Sequence, residues 1–173
     1  SIVWEVRLPR VILGAIVGAS LSLVGAALQS VTRNPLSDPH LLGISSGAAL
    51  GAILVLLHVG MIFGLATLPI FAFMGALLTT FIVVGAASLT RSTGAGRLVL
   101  AGVAVSFVIT SAGSLGIFLG DPRAAHTVIF WMLGGLGLAQ WNQLAFPLAV
   151  LVGCGFYLLI RARYLNAMTL GDE

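Results

Sequence analysis

The sequence predicts an all-α, polytopic bundle of transmembrane helices, about five of them, and three observations carry that prediction. Of its 173 residues 59% are hydrophobic, and the mean hydropathy is +1.13. Charged residues make up only 8%, eight arginines with no lysine against five acids, where a water-soluble domain carries roughly 25%. The apolar residues gather into runs of about the 20 residues that a helix needs to cross roughly 30 Å of hydrocarbon. None of these runs alternates polar with apolar as a barrel strand would, and a backbone entering lipid must satisfy its own hydrogen bonds, so the runs are helices. The same figures exclude a disordered chain, a disulfide scaffold and a nucleic-acid module, because Cys154 is alone and a net charge of +3 over scattered arginines is no basic stripe. The pI near 10.0 reflects scarce acids rather than many bases.

Five spans are expected, at residues 11–31, 41–57, 62–89, 98–119 and 144–160, forming a single transmembrane domain over 1–173. Arg7-Leu8-Pro9-Arg10 precedes the first, with Pro9 near the helix start, where its missing N–H costs nothing. The break that follows, Arg33-Asn34-Pro35-Leu36-Ser37-Asp38-Pro39, contains two prolines. Each disfavours helix at the residue before it, which makes the segment a fixed reversal. The second and fifth runs are short, and their ends are the least defined.

Five crossings put alternate breaks on opposite sides of the membrane. Arg33, Arg91, Arg97, Arg161 and Arg163 collect on one side and Arg7, Arg10 and Arg123 on the other. Arginine-rich loops stay in the cytoplasm, which puts the C-terminus inside and the N-terminus outside. An outside start at Ser1 without a signal peptide, and an abrupt end at Leu170-Gly171-Asp172-Glu173, lead us to expect a piece of a larger membrane protein.

Small residues recur at helical spacing: Gly14, Gly18, Ser22, Ala26 and Ser30 in the first span, and Gly43, Gly47 and Gly51 in the second. Such faces let helices pack closely, around a pathway or simply against each other. In the fourth span Gly102, Ser106, Thr110 and Ser114 form a stripe that is both small and hydroxylic. It could line a hydrated conduit, or its hydroxyls could bond back to their own helix. No charged residue lies near the middle of any span, which argues against an ion-coupled carrier or proton pump. No HExxH, GxSxG, CxxC or phosphate-cradling loop occurs, and His40, His58 and His126 lie far apart at helix ends, so neither metal nor cofactor is expected. Energy for pumping would then come from another polypeptide. Arg7 and Arg10 at one helix mouth suit either lipid phosphate or bidentate capture of a partner's carboxylates.

The string RLPR, a helix, then GAALQSVTRNPLSDPHLLGISSGAALGA resembles the membrane subunits of FecCD-type ABC importers, which take up iron-siderophore complexes, heme and vitamin B12. GRLVLAGVAVS at 96–106, FWMLGGLG at 130–137, Trp141 and LNAMTLGDE at 165–173 follow in the family's order. The resemblance runs end to end, and it implies that these are the second to sixth of about ten helices in a permease subunit. It implies further that Arg7 and Arg10 dock the substrate-binding protein, periplasmic or lipoprotein, and that Asn34, Pro35 and Leu36 form a cytoplasmic gate with Ala95, Gly96 and Val99 beside Arg97. Ser106, Thr110, Ser114 and Leu119 would line the pathway, Leu119 narrowing the outer mouth unless it faces lipid. Leu170, Gly171, Asp172 and Glu173 would open the segment that engages the ATPase. The implied assembly pairs two permease subunits, a homodimer, with two ATP-binding subunits in a bacterial inner membrane, and this subunit transports without catalysing. A secondary transporter or channel, or a non-transporting scaffold, are the other classes, and neither accounts for the ordered blocks. Ferric siderophore, heme and cobalamin all remain open as cargo. Arg123 and His126 near the outer mouth could touch an acidic cargo, or could simply be solvated.

Overall fold

The computed structural model describes residues 1–89, 96–137 and 139–169. The described residues form seven α-helices and no strand: α1 (Leu8–Thr32), α2 (Ile44–Leu54), α3 (Thr67–Leu89), α4 (Gly96–Leu119), α5 (Pro122–Met132), α6 (Trp141–Ile160) and α7 (Ala162–Thr169). A π-helical turn, Val3–Arg7, leads into α1, and another, Val55–Val59, extends α2. Among the described residues four helical stretches are long and apolar enough to cross a membrane, namely Val3–Thr32, Gly64–Leu89, Gly96–Leu119 and Trp141–Ile160. The second expected span is a shorter apolar helix, Ile44–Val59. The chain divides into two compact units, one made of Ser1–Asp38 with Gly135–Glu173 and the other of Pro39–Gly134.

In the first unit α1 and α6 pack side by side in the same direction. Their starts meet where the Trp4 and Trp141 rings lie 5.2 Å apart and the Trp141 indole N–H donates to the Trp4 carbonyl at 3.1 Å. Further along, Leu23 lies against Gly155, and Ile16, Leu144 and Gly155 are buried. Pro9 occupies the opening turn of α1 and is buried there. Hydroxyls in α1 cost little in an apolar setting because each bonds back one turn: Ser20 donates to Ile16, Ser22 to Gly18, Ser30 to Ala26 and Thr32 to Leu28, at 2.7–2.9 Å. The small-residue face of α1 is not closed along its length within this unit. A methyl at Gly14 would come to 3.2 Å of Leu136, whereas one at Gly18 would meet nothing within 4 Å.

In the second unit α2 runs antiparallel to α3 and parallel to α4. Its glycines are the reason it can approach both. A methyl on Gly51 would overlap the Phe71 carbonyl, one on Gly47 would overlap Thr79 and the Gly75 carbonyl, and one on Gly102 would overlap the Leu41 carbonyl. Backbone meets backbone at these crossings, the contact that small residues permit in lipid. Ala52, Ile53, Val55, Thr79, Val83 and Ala87 are buried around them. α5, which the hydropathy runs did not predict, caps this unit, with Val128 fully buried while most of its other side chains remain exposed.

These directions decide how the short α2 counts. Contacts between α2 and α4 extend from Leu41 beside Gly102 to Leu57 beside Gly120. Eighteen residues of α4 cover about 27 Å, close to the hydrocarbon thickness. Beside α4, the α2 segment with its flanking turns therefore covers a length that its own helix lacks, while four helical stretches reach crossing length among the described residues, against the five spans expected.

Candidate functional site

The candidate residues fall at the two ends of the first unit and along α4. At the end where α1 and α6 begin, Arg7 closes the π-helical turn and is exposed. Arg10, also exposed, donates from Nη2 to the Gly137 carbonyl at 3.0 Å. That bond orients its guanidinium fork against the loop before α6, whose Ala139 N–H returns to Leu136 at 3.1 Å and whose Ala139 side chain is buried. The result is two exposed cations beside a Trp pair, with one of the cations fixed to main chain.

The opposite end is a turn with a dense set of internal bonds. α1 stops at Arg33, which adopts φ 52° and ψ 34°, with its N–H and that of Asn34 both directed to the Gln29 carbonyl. Arg33 is the sole non-glycine residue with positive φ among the described residues. A side chain in this left-handed region costs about 1 kcal/mol, and glycine or asparagine is its usual occupant. Asn34 Oδ1 then accepts from the Leu36 N–H at 2.9 Å, and the Ser37 N–H donates to the Asn34 carbonyl at 3.1 Å. The Thr32 and Ser37 hydroxyls are hydrogen-bonded to each other at 2.6 Å, and both residues are buried. Pro35 and Leu36 are left projecting, Leu36 with 81% of its surface exposed. Asn34, Pro35 and Leu36 therefore form one rigid, apolar-tipped structure, and the Asn34 amide is engaged in holding it.

The other expected gate residues lie in the second unit. Gly96 and Val99 occupy the first turn of α4, Gly96 exposed and Val99 half-buried, and the half-buried Arg97 sits between them. Ala95 lies outside the described residues, as do Leu170, Gly171, Asp172 and Glu173. Along α4, Ser106 donates to Gly102 at 2.7 Å and Ser114 to Thr110 at 3.0 Å, so these hydroxyls bond back to their own helix. Ser106 faces α2 beside Gly43, whereas Thr110, Ser114 and Leu119 are exposed. Arg123 and His126 are exposed on α5, and the Asp121 carboxylate caps that helix by accepting from the Arg123 N–H at 2.8 Å.

Three features had no clear sequence signal. α7 is a short polar helix packed against the end of α1, and the Arg33 Nε donates to its Met168 carbonyl at 2.9 Å. Arg161 lies over the rings of Tyr157 and Tyr164, 5.8 and 5.3 Å from their centroids; the four- and three-residue spacings could have suggested that stack. A groove of about 170 Å³ runs between α1, α6 and α7, lined among others by Leu23, Ala27, Ser30, Leu158, Leu165 and Asn166. It is apolar and has room for a side chain or part of an acyl chain, and is too small for a large chelate.

Similarity to known proteins runs along the whole chain. It is 39% identical over 172 residues to a vitamin B12 import system permease protein of Klebsiella pneumoniae, covering 98% of this chain and 50% of the relative. A cobalamin import system permease protein of Halobacterium salinarum is 37% identical over 99% of this chain and 46% of its own. An uncharacterized ABC transporter permease protein of Bacillus subtilis is 38% identical over 100% and 50%. A solved structure described as an inward-facing conformation of a metal-chelate type ABC transporter superposes with a TM-score of 0.88 at 28% identity, covering 99% of this chain and 54% of the other. The chain thus spans about half the length of the curated relatives it matches. The sequence profile of the FecCD transport family matches residues 1–173, and the chain belongs to that family.

Proposed function

We propose that this chain forms the leading half of the membrane-spanning part of a permease subunit in an ATP-driven importer of large metal chelates. The observation that carries the reading is the family match over all of 1–173, together with ABC permease relatives at 37–39% identity. The protein sits in the bacterial inner membrane, contacts lipid over its exposed apolar faces, and performs no chemistry of its own. A separate pair of ATP-binding subunits hydrolyses ATP, and a second permease subunit, a copy of the same chain, completes the conduit. Closed two-fold assemblies place a shared site on the axis.

Orientation follows from charge. In the first unit Arg33, Arg161 and Arg163 lie toward the end where α1 and α6 finish, and Arg7 and Arg10 at the end where they start. The richer end is cytoplasmic, so the N-terminus of this chain is outside and its C-terminus inside. Arg7 and Arg10 then face the substrate-binding protein, where a guanidinium fork already oriented by Gly137 loses less freedom on binding a carboxylate. Asn34, Pro35 and Leu36 serve the cytoplasmic gate, as do Ala95, Gly96 and Val99. We assign Thr110, Ser114 and Leu119 to the path, leaving Ser106 to its contact beside Gly43, and Leu170 to Glu173 to the ATPase contact. Among iron-siderophore, heme and cobalamin cargoes, the names of the relatives favour cobalamin.

The test is purification of the full-length subunit from its native membrane in mild detergent, with intact mass and partner identification, followed by uptake in proteoliposomes. The reading expects a co-purifying ATPase and ATP-dependent uptake of labelled cyanocobalamin that an added binding protein stimulates. A subunit that purifies without an ATPase and moves no chelate with ATP would overturn it. Uptake of ferric siderophore or heme in place of cobalamin would overturn the cargo assignment alone.

A further inference from the structure

We propose that Arg33 is a positioning residue that ties α7 to the turn at 33–38, so that a displacement of α7 is delivered to Leu36. This rests on the importer reading, in which that end of the first unit faces the ATPase.

Four observations converge on it. Arg33 holds a left-handed backbone conformation that a long side chain adopts only when its surroundings require it. Its Nε reaches across 135 residues of sequence to the Met168 carbonyl at 2.9 Å. That carbonyl belongs to α7, one residue before the end of its described span. The turn beyond Arg33 does not yield independently. Asn34 is fixed to Leu36, Ser37 to Asn34, and the Ser37 hydroxyl to Thr32 on α1, through bonds of 2.6–3.1 Å. A shift at Arg33 is therefore passed to the projecting Leu36 instead of being absorbed. α7 is also the part of this unit best able to receive a push, since it is a polar helix of eight residues at the far end of α6 and exposes most of its side chains. A short element that moves as one body with a rigid turn is a common means of converting a partner's motion into a gate's motion.

The test separates the side chain from the backbone. Arg33→Gly removes the guanidinium while suiting the left-handed conformation, and Arg33→Lys keeps a cation that can donate to Met168. In the complete transporter reconstituted in liposomes, cargo moved per ATP hydrolysed should fall at least about fivefold in Arg33→Gly and recover by more than half in Arg33→Lys. A ratio in Arg33→Gly within about twofold of the parent would overturn the proposal. A second measurement uses spin labels at Leu36 and Ala167 in a Cys154→Ser background. Their distance should hold within about 2 Å with and without trapped nucleotide, and its distribution should broaden in Arg33→Gly. Equal widths in parent and Arg33→Gly would refute the tie. Absence of ATP-driven uptake by the parent would count against the importer reading, and the label widths would still decide whether Arg33 holds α7 to the turn.

Discussion

Gly51→Ala adds one methyl group to the chain, and the structure says where that methyl goes. It would overlap the Phe71 carbonyl and crowd the backbone of Ala72, and neither is the movable end of a side chain. α2 and α3 would have to separate by about 1 Å, a gap at which dispersion contacts lose a quarter to a half of their well depth. The contacts affected are those of the tightest layer in the second unit, around Ala52, Ile53, Val55 and Val83. Overpacking of this kind costs about 1–3 kcal/mol, less roughly 1 kcal/mol regained because alanine favours helix over glycine, so the net loss is about 0–2 kcal/mol. Gly85→Ala on α3 is the matched control, since its methyl would meet nothing within 4 Å. It should be neutral or stabilising by up to about 1 kcal/mol. Gly51→Ala combined with Gly75→Ala should cost less than the sum, because the first substitution already parts the helices that the second would push. The assay is thermal and chemical unfolding of the full-length subunit in mild detergent, followed by helicity. Equal stabilities for Gly51→Ala and Gly85→Ala would refute the argument that backbone contact at Gly51 holds α2 in place.

Arg7→Glu with Arg10→Glu should weaken association with the substrate-binding protein by about 1–3 kcal/mol, read by surface binding at low salt, while ATP hydrolysis without binding protein persists; undiminished association would remove the docking role. Thr32→Val leaves the buried Ser37 hydroxyl without its partner, and should destabilise the turn by about 1–3 kcal/mol, seen as faster hydrogen exchange at 34–38 with the rest of the chain unchanged. Asp121→Ala removes the cap on α5, with an expected loss of about 1 kcal/mol and faster exchange confined to 122–132. Ser114→Ala deletes a hydroxyl that bonds only its own helix carbonyl, so stability should change by less than about 0.5 kcal/mol, and any change in cargo uptake would then report on the pathway itself.

Much of the architecture is local in origin and could be read from the chain alone. Apolar runs of crossing length, two prolines in the 33–39 break and arginines at the ends of runs each act within about 20 residues, the range over which the bilayer and the helix hydrogen-bond pattern impose their demands. The all-α class, the four spans of crossing length, the reversal after α1 and the grouping of Asn34, Pro35 and Leu36 follow from them. Other features have no local cause. Gly18 and Gly51 look alike in sequence, yet only Gly51 meets another backbone, because that depends on which helix lies opposite. α2 falls short of crossing length, and its run alongside α4 from Leu41 to Leu57 shows only in the packing. α7, too short and polar to register as an apolar run, matters through Arg33, whose partner is 135 residues away. The serines of α4 could not be assigned by type, since a hydroxyl suits water and its own helix carbonyl equally, and the geometry directs Ser106 and Ser114 to the carbonyl. Hydropathy and turn chemistry thus determined which segments are helices and where they break, while only tertiary structure decided which small residues touch and which cation anchors the turn, because those depend on residues far apart in the chain.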